Sequence, residues 1–172
     1  MRVEFRKTGE RRYAVIVRRD NLPDLEMNPA PGYDALMPHD LLHFLVELEL
    51  GLQNGIFGQI ALGGTAGTFH QTPSDASSSR TDSRLRRRTQ KRGRKLLREN
   101  TDDCLQSERA TYICLYDWLS HSEDAKLRAR ASEMKINADS VFGQMTAAER
   151  AKLNEAKRAE IRAGMDELSR RW

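Results

Sequence analysis

The sequence predicts an α+β fold in which a small N-terminal antiparallel sheet packs on a buried helix, followed by a linker and a helical C-terminal half. Two short alternating segments, joined by a turn at Gly9, predict the sheet. An almost wholly apolar helical segment over residues 38–50 predicts the buried helix. We therefore expect an α+β domain over residues 1–70, a linker over 71–83 and a helical region with a basic first helix over 84–172.

The predicted sheet begins with two strands of different character. Residues 2–7 alternate between apolar and charged side chains, so one face of this strand should meet the core. Residues 12–18 are apolar on both faces, since Ala14 and Ile16 oppose the Tyr13 face, and this strand should be covered on both sides. A third short strand is predicted over residues 25–27.

The segment 38–50 is the predicted centre of the fold. Pro38 suits a helix start, and Gly51 offers a left-handed stop at the other end. At about 100° per residue, apolar side chains cover roughly two thirds of the circumference. We expect three of them to be buried against the sheet: Phe44, Leu45 and Leu48. The remaining narrow stripe must face solvent, a cleft or a buried polar partner, and its members are His39, Asp40, His43 and Glu47.

This polar stripe has two interpretations. In the first it only stabilises the fold, with His39 near the helix start and His43 paired with Glu47, and no cofactor is bound. In the alternative, His39 and His43 hold zinc with the i, i+4 spacing of HExxH peptidases, and Asp40 or Glu47 acts as the catalytic carboxylate. Glu47 lies about 12 Å along the axis from His39, so a third ligand must come from elsewhere. The candidates are His70, His121 and Asp34.

The same stretch carries a resemblance. Residues 38–43 read PHDLLH, and Glu47 follows. Glycines then recur from Gly51 to Gly67, just before Phe69, and the whole pattern is PHDLxH…E…GLxxGxFG…GGxxGTF. This core resembles a family of small uncharacterised bacterial proteins that begin with a β-hairpin and continue into basic helices. The resemblance covers the first half of the chain and implies a bacterial origin; it implies no activity, cofactor or partner.

Charge is distributed unevenly along the chain. The net charge is +4, but residues 80–98 contain ten Arg and Lys against the single Asp82, which leaves the remainder at −5. A basic segment on an acidic body predicts an electrostatic contact with nucleic acid or a protein partner, or alternatively a solvated helix whose arginines pair with that body. The residues predicted to make the contact are Arg84, Arg86, Arg87, Arg88, Lys91, Arg92, Arg94 and Lys95.

The C-terminal half should consist of polar helices. Ser107 is predicted to cap one of them, and Thr146 with Glu149 forms a capping box for a helix that continues to the C-terminus. That last helix has a narrow apolar stripe, so it either lies on the domain or pairs with a partner. No apolar run approaches the ~20 residues of a membrane helix, and no signal peptide is evident, so we expect a cytoplasmic protein without membrane contact.

Two functions are compatible with these patterns. The first is a non-catalytic bacterial binding or regulatory module that contacts nucleic acid or a protein through its basic and C-terminal helices. The alternative is a small metal-dependent hydrolase built on His39 and His43. Asp40 stands where a zinc peptidase has the longer Glu, no third ligand is fixed by spacing, and no GxSxG motif is present. These three observations favour the binding module.

Overall fold

A computed structural model describes residues 1–72, 80–99 and 101–172 of the chain, and its fold is α+β as predicted. Four strands form one antiparallel sheet in the order β1-β2-β3-β4. The strands are β1 (Arg2–Gly9), β2 (Arg12–Arg18), β3 (Leu25–Ala30) and β4 (His70–Gln71). The helices are α1 (His39–Leu50), α2 (Ile56–Ala61), α3 (Arg80–Glu99), α4 (Thr101–Ser120), α5 (Ala125–Gln144), α6 (Ala147–Lys152) and α7 (Glu155–Arg171).

Strand β2 is the centre of the sheet. It pairs with β1 on one edge and with β3 on the other, and the Phe5↔Val15 register places the apolar face of β1 beside that of β2. Both faces of β2 are covered, because Ala14 and Ile16 are buried as well as the Tyr13 face. The prediction of a doubly covered strand is therefore confirmed. Strand β3 extends beyond the predicted residues 25–27, and the chain returns to it as β4 after the glycine-rich segment.

Helix α1 is buried as predicted, with one exception. Leu45 is buried and Phe44 is half-buried, but Leu48 is 65 % exposed, so its predicted burial was wrong. Helix α7 approaches α1 at Leu45, because Gly164 leaves no side chain between the two helices. Leu48 lies one turn further on, at the rim of a surface groove between α1 and α7.

The second half of the chain shares a core with α1. Buried residues of α4, α5 and α7 form one hydrophobic cluster with those of α1, so this core joins both sides of the predicted linker. The apolar stripe of α7 takes part through Ile161 and Met165, which means that the C-terminal helix lies on the domain. In the described residues, no helix is both long enough and apolar enough to span a bilayer.

Several helix boundaries differ from those expected. Helix α3 begins at Arg80, so residues 80–83 of the predicted linker are helical, whereas residues 73–79 lie outside the described part of the chain. Ser107 does not cap a helix: α4 already begins at Thr101, and the Ser107 hydroxyl is used in a side-chain contact. The capping box of Thr146 and Glu149 is confirmed, although its helix ends at Lys152 and α7 follows.

Candidate metal centre

The polar stripe of α1 faces a buried polar partner. Its partner is α4, which crosses α1 and presents Ser107, Glu108 and Thr111 to the stripe. The start of α1 is fixed from outside, since the backbone N–H of His39 donates to the Gly32 carbonyl at 3.1 Å. This arrangement brings together side chains that are 60 or more residues apart in sequence.

Glu47 is the anchor of the site. Its buried carboxylate accepts hydrogen bonds from the backbone N–H groups of Ile56 (2.7 Å) and Phe57 (2.8 Å), which belong to the unsatisfied first turn of α2. It also accepts the Ser107 hydroxyl at 2.7 Å. The carboxylate approaches so closely that a Cβ at Gly55 would lie 2.5 Å from its Cδ, which explains a glycine of the motif. Burial raises the pKa of Glu47, and the three donors oppose that rise.

The same hydroxyl determines the tautomer of His43. Because the single proton of Ser107 is donated to Glu47, its oxygen accepts a hydrogen bond from His43 Nδ1, which lies 2.9 Å away. Thr111 Oγ1 lies 3.3 Å from the same nitrogen. We infer that His43 carries its proton on Nδ1 and a lone pair on Nε2. Nε2 is buried and has no hydrogen-bond partner among the described residues.

The unpartnered nitrogen faces two further potential ligands. Glu108 Oε2 lies 3.5 Å from His43 Nε2, which is longer than a normal hydrogen bond, and the rings of His39 and His43 are 4.6 Å apart at their centroids. One ligand atom from each of the three residues lies within 4.8 Å of the others. A tetrahedral zinc ion with bonds of about 2.0–2.1 Å separates its ligand atoms by about 3.4 Å. The three side chains therefore need only small movements to enclose an ion.

Two of the three potential ligands are already in the charge state that a metal requires. Although His39 is exposed overall, partial desolvation of its ring, and then the neighbouring His43, lower its pKa, so its imidazole is neutral at pH 7. The side chain of Glu108 is 58 % exposed, so its carboxyl group is ionised at pH 7, as a solvated glutamate ordinarily is. A metal ion binds neutral imidazole and carboxylate, and here neither residue has to lose a proton first.

The predicted catalytic carboxylates have other partners. The Tyr13 hydroxyl contacts the buried carboxyl group of Asp40 and the Pro31 carbonyl, and burial raises the pKa of Asp40. Asp40 thus lies outside the three-residue group, and Glu47 is occupied by α2 and Ser107.

None of the three candidate third ligands belongs to this group either. His70 lies in β4, where it pairs with Glu26 across the sheet. The Nδ1 atom of His121 is 2.8 Å from the Asp117 carbonyl, and Asp34 pairs with Arg130 at 2.8 Å. Glu108, which the sequence did not single out, takes the position for which they were considered.

A cavity of about 230 Å³ lies beside the centre. It shares His39 with the three-residue group, and its walls are largely apolar, including Met37, Leu42, Leu115 and Trp118. Both His39 and Glu108 are exposed, whereas His43 is fully buried beneath them. An ion held by these residues would therefore have one side accessible from solvent.

The predicted basic residues occupy α3. The described side chains of Arg84, Arg87, Arg88, Lys91, Arg92, Arg94 and Lys95 are exposed, and that of Arg86 lies outside the described part of the structure. Helix α3 packs on α2 and the adjoining glycines.

Comparisons of the chain with protein-family models, curated proteins and solved structures found no match. The resemblance to a bacterial family with the PHDLxH core stays a prediction.

Proposed function

We propose that the chain binds one divalent transition-metal ion through His39, His43 and Glu108, and that this centre is the active site of a small metal-dependent hydrolase. The observation that carries the proposal is the buried Nε2 of His43, which forms no hydrogen bond within the described part of the chain. Its lone pair is fixed by the hydrogen bonds from His43 Nδ1 to Ser107 and from Ser107 to Glu47. Histidines that ligate metals commonly donate their other ring N–H to such a partner. In the large majority of cases, buried side-chain polar atoms that only stabilise a fold are hydrogen-bonded.

The ligand set favours a catalytic centre over a structural one. Structural zinc sites are closed by four protein ligands, whereas catalytic zinc keeps three and leaves one position for water or substrate. In the described residues the group contains three members, and two of them are exposed. A zinc ion so held would lower the pKa of bound water to about 7, which supplies hydroxide for hydrolysis. The cavity beside His39 offers space for an apolar part of a small substrate.

The first prediction is that metal-free protein binds one equivalent of Zn²⁺. In a calorimetric titration, His39→Ala and Glu108→Gln should each weaken binding by at least about 100-fold, because each removes one of three ligands. These two residues are chosen because their side chains are exposed, so neither change opens a cavity in the core. His70→Ala and Glu123→Gln make the same chemical changes at exposed positions outside the centre and should leave the affinity unchanged.

Two results would contradict the proposal. One is wild-type affinity in both ligand variants. The other is absence of binding for zinc and also for Fe²⁺, which is the second ion to test because two histidines and a carboxylate also suit ferrous iron. Thermal melts of each variant distinguish removal of a ligand from disruption of the fold. If the folded protein binds neither Zn²⁺ nor Fe²⁺, the polar stripe of α1 only stabilises the fold.

A further inference from the structure

Seven cations of α3 lie on a single face of the helix. They follow one another at spacings of one or three residues: Arg84, Arg87, Arg88, Lys91, Arg94, Lys95 and Arg98. At about 100° per residue they fall within an arc of roughly 120°. The opposite face carries Thr89 and Gly93, both buried, and the half-buried Leu96.

That opposite face is seated on the glycine-rich segment before β4. A Cβ at Gly93 would lie 3.1 Å from the backbone nitrogen of Thr65, and one at Gly64 would lie 3.2 Å from Leu96 Cδ1. Glycines therefore allow close contact between α3 and this segment, and the contact fixes the direction of the cationic face. Arg92 lies on the packed side of α3, because its Cδ approaches Gly63. In the described residues, Arg84, Arg87, Arg88 and Lys91 form no ion pair.

We propose that this face of α3 binds the phosphate backbone of double-stranded nucleic acid. From Arg84 to Arg98 the row is about 21 Å long at 1.5 Å per residue, with at least one cation on each 5.4 Å turn. Duplex DNA carries one phosphate per about 3.4 Å of axis on each strand, so the row faces a comparable density of negative charge. The binding is independent of the metal centre.

Two features select the duplex over other polyanions. Helix α3 contains no aromatic residue, so it has no platform on which single-stranded bases stack. Among the side chains of α3 that the structure describes, the less polar ones face the protein, so none of them is free to insert into an anionic membrane. Backbone contacts of this kind carry no sequence information, and we expect equal affinity for unrelated sequences.

The test is a salt titration with the full chain and a labelled 20-base-pair DNA duplex. If four phosphates are neutralised, affinity should fall roughly 100-fold between 50 and 200 mM salt. The triple variant Arg87→Ala, Arg88→Ala and Lys91→Ala should bind more weakly, and the slope of log affinity against log salt should fall by about 0.9 for each phosphate that is no longer neutralised. A matched triple variant, Arg11→Ala, Lys126→Ala and Lys152→Ala, makes the same change in net charge at exposed positions outside α3 and should retain wild-type binding.

Parallel measurements use an RNA duplex, a single strand of equal length, and phosphatidylserine vesicles. Binding of either duplex that depends on α3 supports the proposal. It is overturned if the duplex does not bind at 50 mM salt, if both triple variants bind alike, or if the single strand or the vesicles bind more tightly than the duplexes.

Discussion

Glu47→Gln is expected to destabilise the protein by about 2–4 kcal/mol and to weaken zinc binding by about 10–100-fold. The carboxylate uses its two oxygens to accept three hydrogen bonds in a buried site, two of them from the first turn of α2. An amide offers one oxygen, so its NH₂ group must face either the Phe57 N–H or both the Ile56 N–H and Ser107. The change adds no volume, so its cost comes from the mismatched donors.

The effect on zinc affinity follows from the direction of two hydrogen bonds, from His43 Nδ1 to Ser107 and from Ser107 to Glu47. If the amide donates to Ser107, the hydroxyl proton becomes free to point at His43 Nδ1. The imidazole then carries its proton on Nε2, where a metal would bind. Ser107→Ala separates the two consequences: it keeps the hydrogen bonds that Glu47 accepts from α2 but removes the nearer of the two hydroxyl groups at Nδ1. Because only Thr111 Oγ1, at 3.3 Å, then remains beside Nδ1, the variant should cost less stability than Glu47→Gln and still lower zinc affinity.

The control for this prediction lies on the same helix. Glu49 is half-buried and pairs with Lys157 at 3.4 Å, so Glu49→Gln removes only a surface ion pair, at a cost of about 0–1 kcal/mol. Urea unfolding measures the free energies and calorimetry measures the zinc affinities. Equal stability losses for Glu47→Gln and Glu49→Gln would show that Glu47 does not anchor the site.

Gly58→Ala is expected to cost roughly 3 kcal/mol or more of folding stability. A Cβ at this position would lie 2.1 Å from the carbonyl oxygen and 2.4 Å from the carbonyl carbon of Gln53. Both are backbone atoms, so relief requires movement of the loop between α1 and α2. That loop is held at its far end by the hydrogen bonds from Ile56 and Phe57 to Glu47, which limit such movement.

A Gly→Ala substitution at another helical position tests whether the steric clash with Gln53 causes the loss of stability in Gly58→Ala. Gly143 is also helical, and a Cβ there would meet nothing within 4 Å. Gly143→Ala should therefore be neutral or stabilise the protein by up to about 1 kcal/mol, through the higher helix propensity of alanine. Thermal or urea unfolding measures both variants. A destabilisation below about 1 kcal/mol for Gly58→Ala would refute the close approach of α2 to Gln53.

Local patterns predicted the fold class and the principal helix well. The alternation of β1 and the all-round apolarity of β2 depend on residues close in sequence, and the polar stripe of α1 follows from a 3.6-residue period. Local patterns did not predict the exposure of Leu48 or the contact of α7 with α1 at Gly164. Periodicity identifies an apolar face of a helix, but it does not identify the element that packs on that face.

The site was only half predictable for the same reason. His39 and His43 lie one turn apart on one helix, so their spacing indicated a pair. Glu108 reaches them through the packing of α4 on α1, which no local pattern encodes. The sequence did indicate a polar face on α4, because Ser107 and Thr111 are small polar residues at the i, i+4 spacing of one helix face. The interpretation of Ser107 as a helix cap left this polar face unrecognised.

The most direct measurement of the central claim is anomalous X-ray diffraction, at the zinc edge, from crystals grown with zinc. We predict one strong peak between His39, His43 and Glu108, about 2.0–2.2 Å from an imidazole nitrogen of each histidine and from a Glu108 carboxylate oxygen, with His43 bound through Nε2. A peak elsewhere on the protein, or no peak while His43 Nε2 and Glu108 keep their 3.5 Å separation, would contradict the metal centre.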